Sequence, residues 1–252
     1  MRLAIHGYGA TGHYVHELAP DAVVAVIDKT KTAERVPSYG TLADTLAEMT
    51  ESVDAIIDFS HPSLLPDLLD YGMRTKTPLV IATTGFSEAE LQTIRDASKQ
   101  IPIFQSYNMS FGIAMMQQLL KTLVPLAGAF DIELLEKHHN QKVDAPSGTA
   151  ELLLRTIQDL RNVQPVYERE STREKREPNE IGMHSMRGGT IFGEHEVLFA
   201  GVDELIEIKH TALSKKVFAS GAIKAAEALI QKSAGLYTLE TLYTQEDSHV
   251  IN

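Results

Sequence analysis

His138, His139, Lys142 and Asp144 fall within seven residues and are followed at once by Ser147-Gly148-Thr149. Imidazole and amine side chains are the usual carriers of a proton to a reacting group. Backbone N–H groups at a helix start can hold a carboxylate or phosphate. Residues 133–150 therefore read as an anion site with a proton donor beside it, although a solvated strand-to-helix loop has much the same composition. An apolar run of strand length (130–135) precedes the cluster and a helical pattern (150–157) follows it. Neighbouring strand residues face opposite ways, so His138 and His139 are expected to do different jobs. Gly148 and Thr149 would offer N–H groups to a carboxylate, with Lys142 and His139 adding positive charge. No metal is expected: adjacent strand histidines share one ion poorly, and there is no H-E-x-x-H pattern and no cysteine.

Upstream lies the machinery that could give these groups a task. Residues 2–6 read as a buried strand running into Gly7-Tyr8-Gly9-Ala10-Thr11-Gly12 and a helix to residue 18. This is a G-x-G-x-x-G turn between strand and helix, where glycines let backbone approach a pyrophosphate. Alone it would equally describe an ordinary glycine-rich turn. A second β-branched run, 23–27, ends at Asp28, about 20 residues after the first glycine, where an acid that reads a ribose belongs. Asp28 would accept from the 2′-hydroxyl and repel a 2′-phosphate. Lys29 would offset that repulsion if turned inward; a solvated surface lysine is the other reading.

Further strands at 53–57, 78–82 and 101–104 alternate with helices at 41–49, 62–74 and 87–99, the last opened by a Ser87/Glu90 capping box. Such alternation implies a parallel sheet with helices on both faces, whose ligands lie beyond the carboxyl ends of the strands. Polar clusters at 58–61, 83–85 and 106–110 occupy those ends. The pattern then changes. A helix at 112–124, with Met115 and Met116 read as core, leads into the His-His stretch. The charged run 169–178 reads as a solvated loop. Residues 181–190, 194–199 and 204–210 read as strands of a mixed sheet, and 218–232 as a helix. The expected fold class is α/β: a Rossmann-type doubly wound parallel sheet plus a second α+β domain with a mixed sheet. The first domain would span 1–108, completed by about 216–252, and the substrate-binding and oligomerisation domain 109–215.

At 252 residues the chain can be one large domain or two modest ones, with ample material for a core, and the net charge of −11 argues against nonspecific nucleic-acid binding. No apolar run reaches the ~20 residues of a membrane span, and residues 2–6 read as a short strand rather than as a secretion signal, so none is expected. The absence of cysteine fits a cytoplasmic protein and removes every thiol mechanism. A dinucleotide site ahead of a His-His-x-x-Lys cluster points to hydride transfer with a side chain handling the proton. Another two-domain dehydrogenase, or a nicotinamide-sensing module without turnover, shares the first half of that pattern.

The run Glu133-x-x-Glu136-x-His138-His139-x-x-Lys142-x-Asp144-Ala-Pro-Ser147-Gly148-Thr149 resembles the signature of bacterial 4-hydroxy-tetrahydrodipicolinate (dihydrodipicolinate) reductases. Residues 57–60, 82–85, 108–110, 187–189, 193–195 and 218–222 are similar to further landmarks of that family. The resemblance implies NADH- or NADPH-dependent reduction of a small anionic cyclic dicarboxylate, with release of water, on the diaminopimelate route to lysine. It implies His138 as catalytic acid/base and Lys142 as proton donor, with His139, Ser147, Gly148 and Thr149 on the substrate. Cofactor contacts would come from Gly7, Tyr8, Gly9, Ala10, Thr11, Gly12, Asp28, Lys29, Phe59, Ala82, Thr83, Thr84, Tyr107, Asn108, Met109 and Ser110. It also implies a homotetramer built through the second domain. One departure is visible: the family's loop often carries an arginine after its second glycine, and His13 stands here. Asp28 then favours NADH and Lys29 leaves room for both. Glu133, Glu136, Asp144 and Arg187 receive no role from the sequence.

Overall fold

The computed structural model describes residues 1–48, 52–170 and 173–243. Met49, which ends the expected helix 41–49, residues 171–172 of the charged run and residues 244–252 lie outside the described residues. The chain divides into two compact units, Met1–Ser110 with Lys215–Asn252, and Phe111–Ser214.

The first unit opens with β1 (Leu3–His6), α1 (Gly12–Leu18), β2 (Val23–Ile27), β3 (Ser38–Tyr39), α2 (Leu42–Glu48) and β4 (Ala55–Asp58). It continues with α3 (Leu65–Thr75, entered through a 3-10 turn at Pro62–Leu64), β5 (Leu79–Ile81), α4 (Glu88–Ala97) and β6 (Pro102–Gln105). The second unit follows as α5 (Phe111–Leu126), β7 (Asp131–His138), α6 (Gly148–Gln158), β8 (Gln164–Val166), β9 (Glu180–Arg187), β10 (Gly193–Ala200) and β11 (Leu205–Ala212). The chain then returns to the first unit with α7 (Lys216–Leu229), β12 (Gly235–Tyr237) and α8 (Leu239–Tyr243).

In the first unit seven parallel strands lie in the order β12-β6-β5-β4-β1-β2-β3. Strand residues are apolar on both faces because both faces are covered. Ala4, Ala25, Ile27, Ile56, Leu79, Ile81 and Ile103 pack under α2, α3 and α4. The other face is covered by α1 and α7, and α7 crosses β4, β5 and β6. Each large side chain buried in this way contributes about 1.5–3 kcal/mol. The sheet is the doubly wound, Rossmann type. Its strand order reverses between β1 and β4, which opens a crevice at their carboxyl ends. The Ser87 cap is present with both of its bonds, Ser87 accepting from the Glu90 N–H and Glu90 reaching back.

The second unit holds a five-stranded mixed sheet, β11-β10-β7-β9-β8. β10 runs antiparallel to β7 and β11, while β9 is parallel to β7 and β8. One sheet face, with Ile132, Leu134, Ile181, Met183, Val197 and Phe199, packs on α5 and α6 through Ile113, Met116, Leu120, Leu153 and Ile157. The alternating burial of β7 and β10 follows from that one-sided cover.

Two expectations need correction. Met116 is core at 2% exposure but Met115 is 54% exposed, because consecutive helix residues point about 100° apart. The charged run 169–178 is also not simply solvated. The Arg176 side chain, 19% exposed, pairs with Asp131 (3.1 Å) and Glu133 (2.8 Å) of β7, and Arg169 pairs with Glu180. The acids at the start of β7 draw the arginines in. The short strands β3, β8 and β12 were not anticipated either, since two or three residues carry no period.

Candidate active site

In the first unit, the turn after β1 is shaped by what its glycines lack. Gly7 has φ of +88°, and a Cβ there would stand 2.6 Å from the Phe59 carbonyl oxygen and 2.8 Å from Ser60 Cα. A Cβ on Gly12 would lie 2.0 Å from the Gly7 carbonyl oxygen. Packing therefore demands glycine at both positions. Gly9 has nothing within 4 Å of its Cβ direction, which leaves the loop surface clear for a bulky anion. Ala10 is exposed, and Thr11 precedes α1 without capping it through its side chain.

Tyr8 N–H donates to Asp28 Oδ2 at 2.8 Å. Asp28 Oδ1 accepts from the Thr30 N–H (2.8 Å), the Thr30 hydroxyl (3.1 Å) and the Lys31 N–H (3.1 Å). Burial pushes this carboxyl up, but the four donors outweigh it and hold it below the usual carboxylate range. Oδ1 is thus crowded, and Oδ2 keeps room for a hydroxyl donor. Asp28 and Lys29 line a cleft of ≈ 290 Å³ together with His6, Gly7, Gly9 and Phe59. A second hollow is lined by Pro62, Ala82, Thr83, Thr84 and Gly85 and shares Phe59, Ser60 and His61 with the first. The two form one groove along the carboxyl ends of β2, β1, β4 and β5.

The floor of that groove is a buried polar network. His6 Nδ1 lies 2.8 Å from Asp58 Oδ1, Ser60 Oγ donates to the same oxygen (2.5 Å), and Thr83 Oγ1 donates to Oδ2 (2.6 Å). Thr83, expected at the cofactor, is buried with its hydroxyl committed to Asp58. The turn at 106–110 is held from within: Ser106 Oγ donates to the Asn108 carbonyl (2.8 Å) and Ser110 N–H to Asn108 Oδ1 (2.8 Å). Met109 is buried, and its carbonyl oxygen would be 1.7 Å from a Cβ on Gly221 of α7. Tyr107 is exposed.

In the second unit, His138 is the last residue of β7. Its Nδ1 lies 2.5 Å from Glu136 Oε2. Glu136 is 1% exposed and is gripped by Arg187 at both oxygens, Nη1 to Oε2 at 2.9 Å and Nη2 to Oε1 at 2.7 Å. The Ser147 N–H adds a donor to Oε1 at 3.2 Å. Burial alone would raise this carboxyl, but bonds from Arg187, Ser185 and His138 bring it to about 2. Arg187 Nη2 also donates to the Asp144 carbonyl (2.6 Å), so one guanidinium ties β9 to β7 and to the loop before α6. Burial lowers the His138 imidazole, with Lys142 and Arg187 acting in the same sense and Glu136 opposing.

Lys142 Nζ contacts both oxygens of Asp144, at 2.8 and 2.9 Å, and its N–H donates to the His139 carbonyl (3.1 Å). Ser147 caps α6 by accepting from the Ala150 N–H, and its Oγ lies 2.9 Å from His195 Nε2. Burial pushes His195 down to about 4, with His138 adding to the effect. A Cβ on Gly148 would meet nothing within 4 Å, so the start of α6 is open to a ligand. His138, Ser147 and Gly148 therefore gather around one helix N-terminus, with Lys142 on the loop that leads to it.

Two members of this centre carried no role in the sequence reading, Glu136 and Arg187, and His195 was noted without one. Glu136 has a sequence signal: residues two apart on a strand share a face. Arg187 enters only within the 187–189 landmark, and its partnership rests on the β7–β9 register that sets it opposite His138. Glu133 stands apart, bonded to Arg176 and His184. Among the described residues no group of three or more His, Asp or Glu side chains could hold a metal ion, and no helix is long and apolar enough to cross a membrane.

Residues 1–109 match the model for the dihydrodipicolinate reductase N-terminus and residues 112–242 that for the C-terminus. A protein named 4-hydroxy-tetrahydrodipicolinate reductase from Exiguobacterium sibiricum is 96% identical over 252 residues, covering 100% of both chains. Its namesake from Staphylococcus aureus (strain MRSA252) is 49% identical over 247 residues, covering 96% of this chain and 100% of that one. The solved dipicolinate-bound dihydrodipicolinate reductase from Paenisporosarcina sp. TG-14 shares the fold, with a TM-score of 0.76 at 23% identity, over 94% of this chain and 97% of that one. With both family models matched, over residues 1–109 and 112–242, the chain belongs to the dihydrodipicolinate reductase family.

Proposed function

We infer that the chain is a 4-hydroxy-tetrahydrodipicolinate reductase. It would convert the cyclic hydroxy-dicarboxylate, NAD(P)H and a proton to tetrahydrodipicolinate, NAD(P)⁺ and water, in the diaminopimelate route to lysine. The observation that carries this reading is the full-length 96% identity to a protein of that name. Beside it stands a proton-handling histidine next to an open helix N-terminus.

The groove of the first unit suits a dinucleotide. Gly7 and Gly12 leave no room for side chains, Gly9 leaves space above the turn, and the N–H groups opening α1 would meet the pyrophosphate. The nicotinamide, when bound, supplies the hydride. In the second unit His138 would exchange a proton at Nε2, and Lys142 would donate one from Nζ. His139, Ser147, Gly148 and Thr149 would hold a carboxylate, which the dipole of α6 favours. The dipicolinate in the Paenisporosarcina reductase is a flat dicarboxylate of the same ring class.

For the cofactor, we assign the adenosine end to the cleft of Asp28 and Lys29. Asp28 Oδ2 suits the ribose hydroxyl of NADH, while Lys29 on the same cleft lets NADPH be used as well. We also assign the exposed sheet face of the second unit, with Met186 and Leu205, to assembly as a homotetramer in the cytoplasm, which light scattering would test. The decisive assay supplies substrate generated by the preceding synthase and follows nicotinamide absorbance. Oxidation with at least one cofactor is expected, and none with either would overturn the reading. Titration of both cofactors into wild type and Lys29→Ala should show the variant losing NADPH more than NADH.

A further inference from the structure

We propose that Glu136, clamped by Arg187, is a positioning residue that holds His138 in its Nδ1–H form, and that Gly193 keeps the opposite nitrogen, Nε2, clear for substrate. This rests on His138 being the acid/base of the reductase reading.

The bond between the two side chains has one possible direction. Glu136 Oε2 already accepts from Arg187 Nη1, and Oε1 accepts from Arg187 Nη2 and the Ser147 N–H. A carboxylate surrounded by donors has no proton to give. The contact at 2.5 Å must therefore run from Nδ1–H to Oε2. In the neutral ring the lone pair is then on Nε2, the only nitrogen left to face a substrate. A guanidinium fork fixes the carboxylate plane as a single ammonium could not.

The far side of the ring is set by β10. Glu194 pairs with Lys137, so Gly193 comes level with His138. A Cβ at Gly193 would lie 3.1 Å from His138 Nε2 and 3.4 Å from its Cδ2. Any side chain there would press on the atom that must meet substrate. His195, two residues on, sets its ring edge against His138 at 5.2 Å between centroids and 71° between planes, and its Nε2 faces Ser147 Oγ. The imidazole is thus held by a carboxylate at one nitrogen and by an edge-on ring, with glycine guarding the other nitrogen. The charged or titratable groups facing it are Glu136, Arg187, Lys142 and His195.

The test is nitrogen-15 NMR of the full chain with labelled histidine, the His138 signals being identified by their loss in His138→Gln. In wild type above the ring's titration, Nδ1 should be protonated and Nε2 bare; the reverse would overturn the proposal. Glu136→Gln keeps the shape; its NH₂ would meet two fixed donors at the Oε1 position, Arg187 Nη2 and the Ser147 N–H, but only Arg187 Nη1 at the Oε2 position, so it turns toward Nδ1. The ring should then flip its proton to Nε2, and kcat should fall on the order of 10²- to 10⁴-fold with KM little changed. An unflipped ring with wild-type kcat would overturn the role of Glu136. Should Glu136→Gln fail to fold, the wild-type tautomer still decides. Gly193→Ala should lower kcat without changing the tautomer; unchanged kcat would remove Gly193 from the proposal. A fully active His138→Gln protein would instead sink the acid/base reading beneath it.

Discussion

In the first unit, the residues that would meet phosphate in the reductase reading contribute almost no side chain. Gly7 and Gly12 are glycine because backbone occupies the space of a Cβ, whereas the space at Gly9 is open. In the second unit, the centre is built from long charged side chains locked together, Glu136 between His138 and Arg187, with Ser147 tied to His195. A cofactor recognised by backbone N–H groups asks the protein for shape. A proton delivered to a chosen atom asks for an imidazole with one tautomer and a suitable acidity. The two units should therefore fail differently: the first through sterics, with little dependence on pH, the second through charge and proton position.

The sharpest break of that contrast is at the two groups to which proton transfer is assigned in the reductase reading. His138→Gln or Lys142→Ala should lose about 10²- to 10⁴-fold in kcat while the cofactor dissociation constant and melting curve stay as in wild type. Steady-state kinetics with a cofactor titration would show it, and a weakened cofactor instead would erase the division of labour.

Glycine replacements probe the other side. Gly12→Ala, forced against the Gly7 carbonyl, should destabilise the protein by about 1–3 kcal/mol in urea unfolding. Gly9→Ala and Gly148→Ala, both facing open space, should unfold like wild type. The first should raise the KM for cofactor and the second that for substrate. If Gly9→Ala unfolded as readily as Gly12→Ala, the open-surface role of Gly9 would be lost.

Acid should act chiefly on the second unit. Glu136 falls from an ordinary 4.5 to about 2 in the fold. Its stabilisation is present above the unfolded value and is lost as pH falls through that interval. His195 is held neutral, from 6.5 down to about 4, so the unfolded chain takes up the proton first. Its contribution is complete above the unfolded value and shrinks as pH falls toward 4. Each group can change stability by up to about 1.4 kcal/mol per pH unit within its window. Urea unfolding across pH should lose the upper limb in His195→Gln and the lower one in Glu136→Gln. Unaltered curves would refute both assignments.

The smallest effect expected is at the α4 cap, remote from either chemistry. Ser87→Ala should cost about 1 kcal/mol of stability and leave kcat and KM unchanged. A kinetic effect there would mean that the groove of the first unit feels its helices more than its turn suggests.

The glycine turn, the Ser87 cap and the alternation of strand and helix were legible because each is written in neighbouring residues. The arginines at 169 and 176 were misread as solvated because their partners, Glu180, Asp131 and Glu133, are brought in by the sheet. Met115 was misread because a helical apolar run does not say which flank is covered. Asp58 was visible as polar, but its bonds to His6 and Thr83 need three strands side by side.

The sequence by itself determined the parallel sheet, the glycine turn between β1 and α1 and which side chains are chemically able to move a proton, since these depend on local spacing and on which chemistries the side chains permit. Only the tertiary structure decided that Glu136 and Arg187 belong to His138. Hydrogen bonds across 51 positions exist only once β7 and β9 pair in register, and a shift of one residue would turn Arg187 to the opposite face of the sheet.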